Sequence, residues 1–362
     1  MKYILVMNPG SISTKIAVFE EESPLFCETI NHSAEELAPF EHVTEQYEFR
    51  KSLVLKCLSE HSFDPARLDA VVARGGILPP ISAGAYEIND DMVWQLENRA
   101  QNEHASNVGA RIALTIAREY GVPAYIYDGI TVDELDPINK LTGLKEFRRK
   151  GMAHNLNSRA AAMRYARENG RAYDELTVIV AHLGGGISVT LHHKGRIVDC
   201  INDEEGSFSP ERAGGLPMFD TVRMCCEDGA TYDSVMKKIK WNGGLMAHLG
   251  TKDCIEIERR IAEGDEHAAL VYDAMSMNVA KNIGKLAPYV QGKVDAILLT
   301  GGVIYSERVT EYIRRHVEFI APVIAYPGED EMKSLALGAL RVLRGEESAR
   351  TFTRTETGWE PV

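Results

Sequence analysis

Residues 177–200, TVIVAHLGGGISVTLHHKGRIVDC, decide how the chain is read. Thr177 to Ala181 is a strand-length apolar run rich in β-branched residues, and His182-Leu183-Gly184-Gly185-Gly186 is a turn. Ile187 to His192 makes a second strand, and Lys194-Gly195 a hairpin into a third, Arg196 to Cys200. The N-terminus carries the same pattern. Tyr3 to Met7 is apolar, Asn8-Pro9-Gly10-Ser11 turns, Lys15 to Glu20 returns, and Pro24 to His32 supplies a third antiparallel strand. The repeat is one of pattern rather than identity. It predicts two similar domains with a cleft between them.

Working outward, Tyr47, Leu53, Val54, Cys57 and Leu58 recur at mostly helical spacing and predict a helix over 44–61. A strand, Leu68 to Ala73, ends at Arg74-Gly75-Gly76; a helix near 105–120 precedes a strand, Ala124 to Tyr127, ending at Asp128. The second half is more helical, with helices over 267–290, 306–320 and 331–344 and a strand over 296–299. Strand hairpins followed by helix–strand alternation predict an α/β fold of mixed sheets flanked by helices. The expected division is 1–150 with a returning C-terminal helix, 331–362, and 151–330. The polar tail from Glu346 is expected to fray.

At 362 residues, 44% hydrophobic and 26% charged, the chain has the balance of a soluble globular protein. Its apolar runs are strand-sized, far short of the ~20 residues of a spanning helix. The first apolar run stops at Asn8-Pro9-Gly10, too soon for a secretory leader, which reads as a mature cytoplasmic chain without membrane partners. A net charge of −13 disfavours nucleic acid, since a polyanion needs a basic stripe. It does not disfavour a single nucleotide, which backbone N–H groups, Mg²⁺ and a few arginines can hold. The six cysteines form no CxxC pair and read as reduced thiols.

Four strands end in unusual turns: Asn8-Pro9-Gly10-Ser11, Arg74-Gly75-Gly76, His182 to Gly186 and Thr300-Gly301-Gly302. Any one alone is an ordinary tight turn. Four together, each at the carboxyl end of a strand, point to a phosphate cleft, because glycine permits positive φ and close approach of backbone N–H groups to phosphate oxygens. There is no GxxxxGK[ST] and no GxGxxG, so neither a Walker loop nor a dinucleotide fingerprint supplies the binding.

Laid out in order, these segments closely resemble the acetokinase family of the actin-like ATPase superfamily, and within it the butyrate kinases. The carrying motifs are Asn8-Pro9-Gly10-Ser11-Ile12-Ser13-Thr14-Lys15, Ala73-Arg74-Gly75-Gly76, His104-Ala105-Ser106-Asn107, His182 to Gly186, Phe208-Ser209-Pro210-Glu211-Arg212 and Leu299-Thr300-Gly301-Gly302. Ala213 departs from the serine expected after Arg212. The resemblance implies two duplicated ribonuclease H-like domains, ATP with Mg²⁺, a short-chain fatty acid or its acyl phosphate, and a homo-oligomer.

It also assigns roles. Arg74 and Arg212 would clamp the carboxylate and the phosphoryl group in flight, with His182 donating to the phosphoryl oxygens beside the amides of Gly184, Gly185 and Gly186. Asn8, Gly10, Ser11, Ser13, Thr14 and Lys15 would hold phosphate, and Gly301, Gly302 and Val303 would floor the adenosine pocket. His104 and Asn107 would face the substrate. Asn8, Asp128 and Glu331 would hold Mg²⁺, mostly through its waters. A carboxylate acceptor is already ionised at neutral pH and needs no general base. What it needs is positive charge and alignment against a triphosphate, and the planar fork of arginine serves both.

Overall fold

The computed structural model describes residues 1–100 and 102–355. Twelve strands are found among them: β1 (Tyr3–Pro9), β2 (Ser13–Glu20), β3 (Ser23–Asn31), β4 (Ala70–Ala73), β5 (Ala85–Glu87), β6 (Ala124–Tyr127), β7 (Thr177–Leu183), β8 (Ile187–His193), β9 (Arg196–Ile201), β10 (Ala296–Gly301), β11 (Val323–Pro327) and β12 (Arg350–Thr351). The chain divides into two compact units, Met1–Asp133 with the C-terminal residues from Asp330, and Glu134–Glu329.

The first unit holds a seven-stranded mixed sheet ordered β12-β5-β6-β4-β1-β2-β3. Ile4, Leu5, Val6 and Met7 of β1 are all fully buried. Such an unbroken apolar run is what a strand needs when both faces of its sheet are covered. Leu5 and Met7 pack with the helices Tyr47–Glu60 and Asn107–Tyr120, through Val54, Leu58, Ile112 and Ile116. Over the opposite face lies the helix Glu331–Leu343, with Leu335, Ala336 and Ala339 buried. The second unit holds a five-stranded sheet ordered β11-β10-β7-β8-β9. Its alternate faces use the period of two. Ile179, Ala181 and Leu183 pack with the long helix Glu266–Leu286, while Val178 and Val180 pack on Ala161, Ala162 and Ala166 of the helix Asn155–Glu168.

The duplication read from the sequence is present in the topology. The order β3-β2-β1-β4-β6 recurs as β9-β8-β7-β10-β11, with β5 and β12 extending only the first sheet. In each unit three strands run parallel, β1, β4 and β6 or β7, β10 and β11, so their carboxyl ends lie along one edge.

Several expectations need correction. Residues 134–150 belong with the second unit: the Asp136 N–H donates to the Val198 carbonyl at 3.0 Å, and Arg149 pairs with Asp199 at 2.9 Å and Glu205 at 2.7 Å. The tail does not fray where expected, because Tyr127 Oη donates to Glu347 Oε2 at 2.7 Å and Arg350–Thr351 pair with Tyr86–Glu87. Residues 356–362, part of that expectation, lie outside the described residues. The helices Asp90–Asn98 and Asn155–Glu168 and the strands β5, β11 and β12 were not expected. Among the described residues no helix is long and apolar enough to cross a membrane.

One contact between the last helix and the first sheet generates a stability test. A Cβ added at Gly338 would lie 2.3 Å from the Tyr127 ring. That ring cannot retreat, being 1% exposed and tied at its hydroxyl to Glu347 and to Arg341 Nη2 at 2.7 Å. Gly338→Ala gains roughly 1 kcal/mol of helix propensity and loses more to overpacking, which costs about 1–3 kcal/mol or more. We expect a lower urea midpoint; an unchanged or higher one would refute the packing account.

Candidate active site

The carboxyl edge of the first sheet collects four of the predicted residues. Asn8 is the penultimate residue of β1, Arg74 follows β4, Asp128 follows β6, and Glu331 opens the helix that covers the sheet. Their contacts are specific. Asn8 Nδ2 donates to Glu331 Oε2 at 2.7 Å, and Arg74 Nη1 donates to Glu331 Oε1 in an ion pair. Both Glu331 oxygens are therefore engaged, one by an amide and one by a guanidinium. The helix start that delivers Glu331 is capped by Asp330, whose carboxylate accepts from the Lys333 N–H at 2.8 Å. Asp128 is buried at φ +42°, and its Oδ1 accepts from the Gly84 N–H at 2.7 Å.

His104 hydrogen-bonds through Nδ1 with Ser106 Oγ at 2.6 Å. Burial first, and the positive charge of Arg74 second, hold its pKa below the usual histidine value, so it stands neutral at pH 7. Asn107 braces the loop after Arg74. Its Oδ1 accepts from the Ile77 N–H at 2.8 Å and its Nδ2 donates to the Asn102 carbonyl at 3.1 Å. Gly76 explains itself here: a Cβ would come within 2.8 Å of Asn107 Cα, so only glycine lets this helix approach.

The Asn8–Lys15 turn is split by its own strand. Gly10 N–H donates to the Ser13 carbonyl at 2.8 Å; Ser11 and Lys15 are exposed and Ser13 is half-buried. Thr14, expected with the phosphate-binding side chains, is instead fully buried, and its hydroxyl is bonded to Arg50 Nη1 and His32 Nε2, both at 2.8 Å. The period of two puts its side chain on the sheet face opposite those of Ser13 and Lys15.

In the second unit, β7 delivers His182 and the glycine turn. Gly184 N–H donates to the Gly186 carbonyl at 3.0 Å, and Ser209 Oγ donates to the Gly185 carbonyl at 2.6 Å. Ser209 Oγ also accepts the Arg212 N–H at 3.1 Å, so the Phe208–Arg212 segment is fastened to the turn. Arg212 lies against Gly186, where a Cβ would sit 2.8 Å from Nη1, and forms an ion pair with Asp203. Glu211, the neighbour that would most simply have neutralised it, pairs with Lys252 at 2.6 Å.

His182 is only 1% exposed, with Nε2 3.1 Å from Glu329 Oε2. The His154 ring lies 4.4 Å from it, partly exposed and hydrogen-bonded through Nδ1 with Ser188 Oγ at 2.8 Å. Asn157 Nδ2 donates to Glu329 Oε2 at 3.2 Å. His154, Asn157, Glu329 and Asp203 are additions that the sequence reading missed. The signal for His154 and Asn157 was weak, because four of the five residues at 155–159 are polar and hide a helix start.

The glycines differ from expectation. Of those predicted at the site only Gly301 has positive φ, at +100°, and a Cβ there would overlap the Leu183 carbonyl at 2.2 Å. Its requirement comes from the neighbouring strand. Gly302 would place a Cβ in open space, and the Val303 side chain is buried in the second core.

Comparison with known proteins converges on one family. Residues 137–336 match the model of the acetokinase family. Butyrate kinase 2 of Clostridium acetobutylicum is 48% identical over 355 residues, covering 97% of this chain and 100% of that protein. Butyrate kinase 1 of the same organism is 47% identical over 354 residues, with the same coverage. The fold superposes on the crystal structure of Porphyromonas gingivalis acetate kinase with a TM-score of 0.79 at 19% identity, over 95% of this chain and all of that one. With the family model matched over more than half of the chain and butyrate kinases matched from end to end, the chain belongs to the acetokinase family.

Proposed function

We propose that this protein transfers the terminal phosphoryl group reversibly between ATP and a short-chain fatty acid, with butanoate the preferred acceptor: butanoate + ATP = butanoyl phosphate + ADP. The observation that carries the reading is two arginines beside glycine turns, each held by one carboxylate, Arg74 by Glu331 and Arg212 by Asp203. The end-to-end likeness to two butyrate kinases supports the choice of acid.

The reaction must bring one anion against another. A fatty acid is ionised at neutral pH, so no residue has to remove a proton. Arg74 and Arg212 neutralise and align, their forks passing from carboxylate partners to substrate oxygens. His154, being partly exposed where His182 is not, takes the role of donor to the transferring phosphoryl, while His182 and Ser188 fix its ring. Neutral His104 and the Asn107-braced loop orient Arg74. Asp128, buried and hydrogen-bonded, has no hydroxyl proton to accept and serves position and metal instead. The Gly184–Gly186 turn, with Ser11, Ser13 and Lys15, holds phosphate. Gly302, where a Cβ would point into open space, leaves room for the nucleoside.

The donor set of Asn8, Asp128 and Glu331 is the hard-oxygen type that suits Mg²⁺. Glu331, whose oxygens accept from Asn8 and Arg74, would hold the metal through its waters. Bound Mg²⁺ would neutralise charge on the polyphosphate. No disulfide joins the six cysteines, all among the described residues, which supports a reducing, cytoplasmic setting. Exposed Met218, Phe219, Tyr232 and Trp241 support a homo-oligomer.

Three outcomes test this. With butanoate and MgATP, a hydroxamate trap should detect acyl phosphate, and initial rates across C2 to C5 acids should peak at butanoate; ATP turnover indifferent to every acid would end the proposal. Arg74→Ala and Arg212→Ala should each lower kcat by several orders of magnitude, on the order of the loss from removing a transition-state charge clamp, with unfolding midpoints near the parent's. Near-normal turnover in both would overturn the assignment. Arg74→Ala should also raise the His104 pKa, because a like charge that opposes its protonation is gone. A histidine titration by NMR that shows no upward movement would separate the two residues.

A further inference from the structure

The first domain buries one charge without a counter-ion. Arg50, on the inner face of the helix Tyr47–Glu60, is fully buried and heads the largest fully buried side chains. Among the described residues no carboxylate pairs with it. Its donors go elsewhere: Nε to Gln46 Oε1 at 2.9 Å, Nη1 to the Ser13 carbonyl at 3.1 Å and to Thr14 Oγ1 at 2.8 Å, and Nη2 to the Ser11 carbonyl at 3.5 Å. Burial lowers its pKa to about 10, which leaves it charged at neutral pH. His32, joined to the same Thr14 hydroxyl, is held below the ordinary histidine range by burial and then by Arg50, and its Nδ1 is buried without a partner. The cation thus has a neutral ring beside it rather than an acid.

Packing does not account for this. An unpaired buried cation is unfavourable, and an apolar side chain of similar volume would serve the core better. What Arg50 does is hold the turn that leads from β1 to β2. In a trans peptide the C=O and N–H point to opposite sides. Because the Ser11 carbonyl is turned inward onto Arg50, the Ile12 N–H faces the other way, on a residue 70% exposed. The Ser13 carbonyl, taken by both Arg50 and the Gly10 N–H, closes the turn. An outward Ile12 N–H with a full positive charge behind the turn is an arrangement that favours an anion.

We propose that Arg50 is a positioning residue for phosphate binding: a carboxylate-free buried cation that fixes the Ser11–Thr14 turn from behind and biases it toward the polyphosphate of the nucleotide. The inference rests on the reading of Asn8–Lys15 as a phosphate turn. It assigns Arg50 no contact with either substrate.

The test compares Arg50→Met and Arg50→Lys with the parent. MgATP and MgADP binding is measured by calorimetry without any acid present, and KM for each substrate is measured separately. Arg50→Met should weaken nucleotide binding by roughly tenfold or more, with KM for butanoate changed less than about twofold. Arg50→Lys, which keeps the charge but cannot span both carbonyls, should fall between Met and parent. Unchanged nucleotide affinity in Arg50→Lys and Arg50→Met overturns the proposal, and so does an equal loss for both substrates, the mark of a merely structural role. If Arg50→Met does not fold, Arg50→Lys decides alone: a selective nucleotide defect supports the inference, while parent-like nucleotide binding or a non-selective loss overturns it. Should the parent bind MgATP yet form no acyl phosphate, the carboxylate-kinase reading fails, and the calorimetric comparison still judges Arg50.

Discussion

A single carboxylate organises the candidate residues of the first unit. Glu331 accepts from Asn8 at the end of β1 and from Arg74 after β4, and so ties two parallel strand ends to the helix laid across them. Without an acceptor there, Arg74 would be a partly buried cation in search of a partner, and such a group either moves to solvent or drags its surroundings. With it, the guanidinium is held at the sheet edge but not satisfied for good. A carboxylate or phosphate from a substrate can compete for the same fork. Arg212 repeats the device with Asp203, and it too lies beside a glycine turn at a strand end.

Much of this was legible because backbone geometry forces it. The apolar runs at 3–7 and 177–181, each followed by a turn and a returning strand, identified the duplicated hairpins, and the topology reproduces them strand for strand. Arg74, Asn8 and Glu331 emerged from motif resemblance and proved to be mutual neighbours. What was not legible has physical causes. The helix Asn155–Glu168 buries Asn155, Asn157, Ser158 and Arg159 in its first turns, so polar residues occupy positions where periodicity looks for apolar ones. That hid His154 as well. Strand β5 is three residues long and β12 only two, too short for alternation to register. Thr14 was misplaced because a motif counts residues without regard to which face of a strand each one occupies.

The glycines teach a similar lesson. They were read as openings for a ligand, yet several answer to the protein's own atoms: Gly76 to Asn107, Gly186 to Arg212, Gly301 to the Leu183 carbonyl. A glycine at a strand end thus marks close approach without naming what approaches. Gly302 alone in this group would aim a Cβ into open space. Steric demand from within and access from without are separate reasons for the same residue, and only coordinates tell them apart.

The way Glu331 reaches its partners has a consequence for biogenesis. Asn8 and Arg74 are made early, while their shared acceptor is 257 positions beyond Arg74 and arrives after the second unit has been translated. In a nascent chain holding residues 1–133, neither the helix that covers one face of the sheet nor the acceptor of Arg74 yet exists. The second unit is continuous in sequence and carries no such debt to later codons. Ribosomal order therefore favours maturation of the middle of the polypeptide before its beginning, and the Asn8–Glu331–Arg74 linkage waits for the helix that carries Glu331.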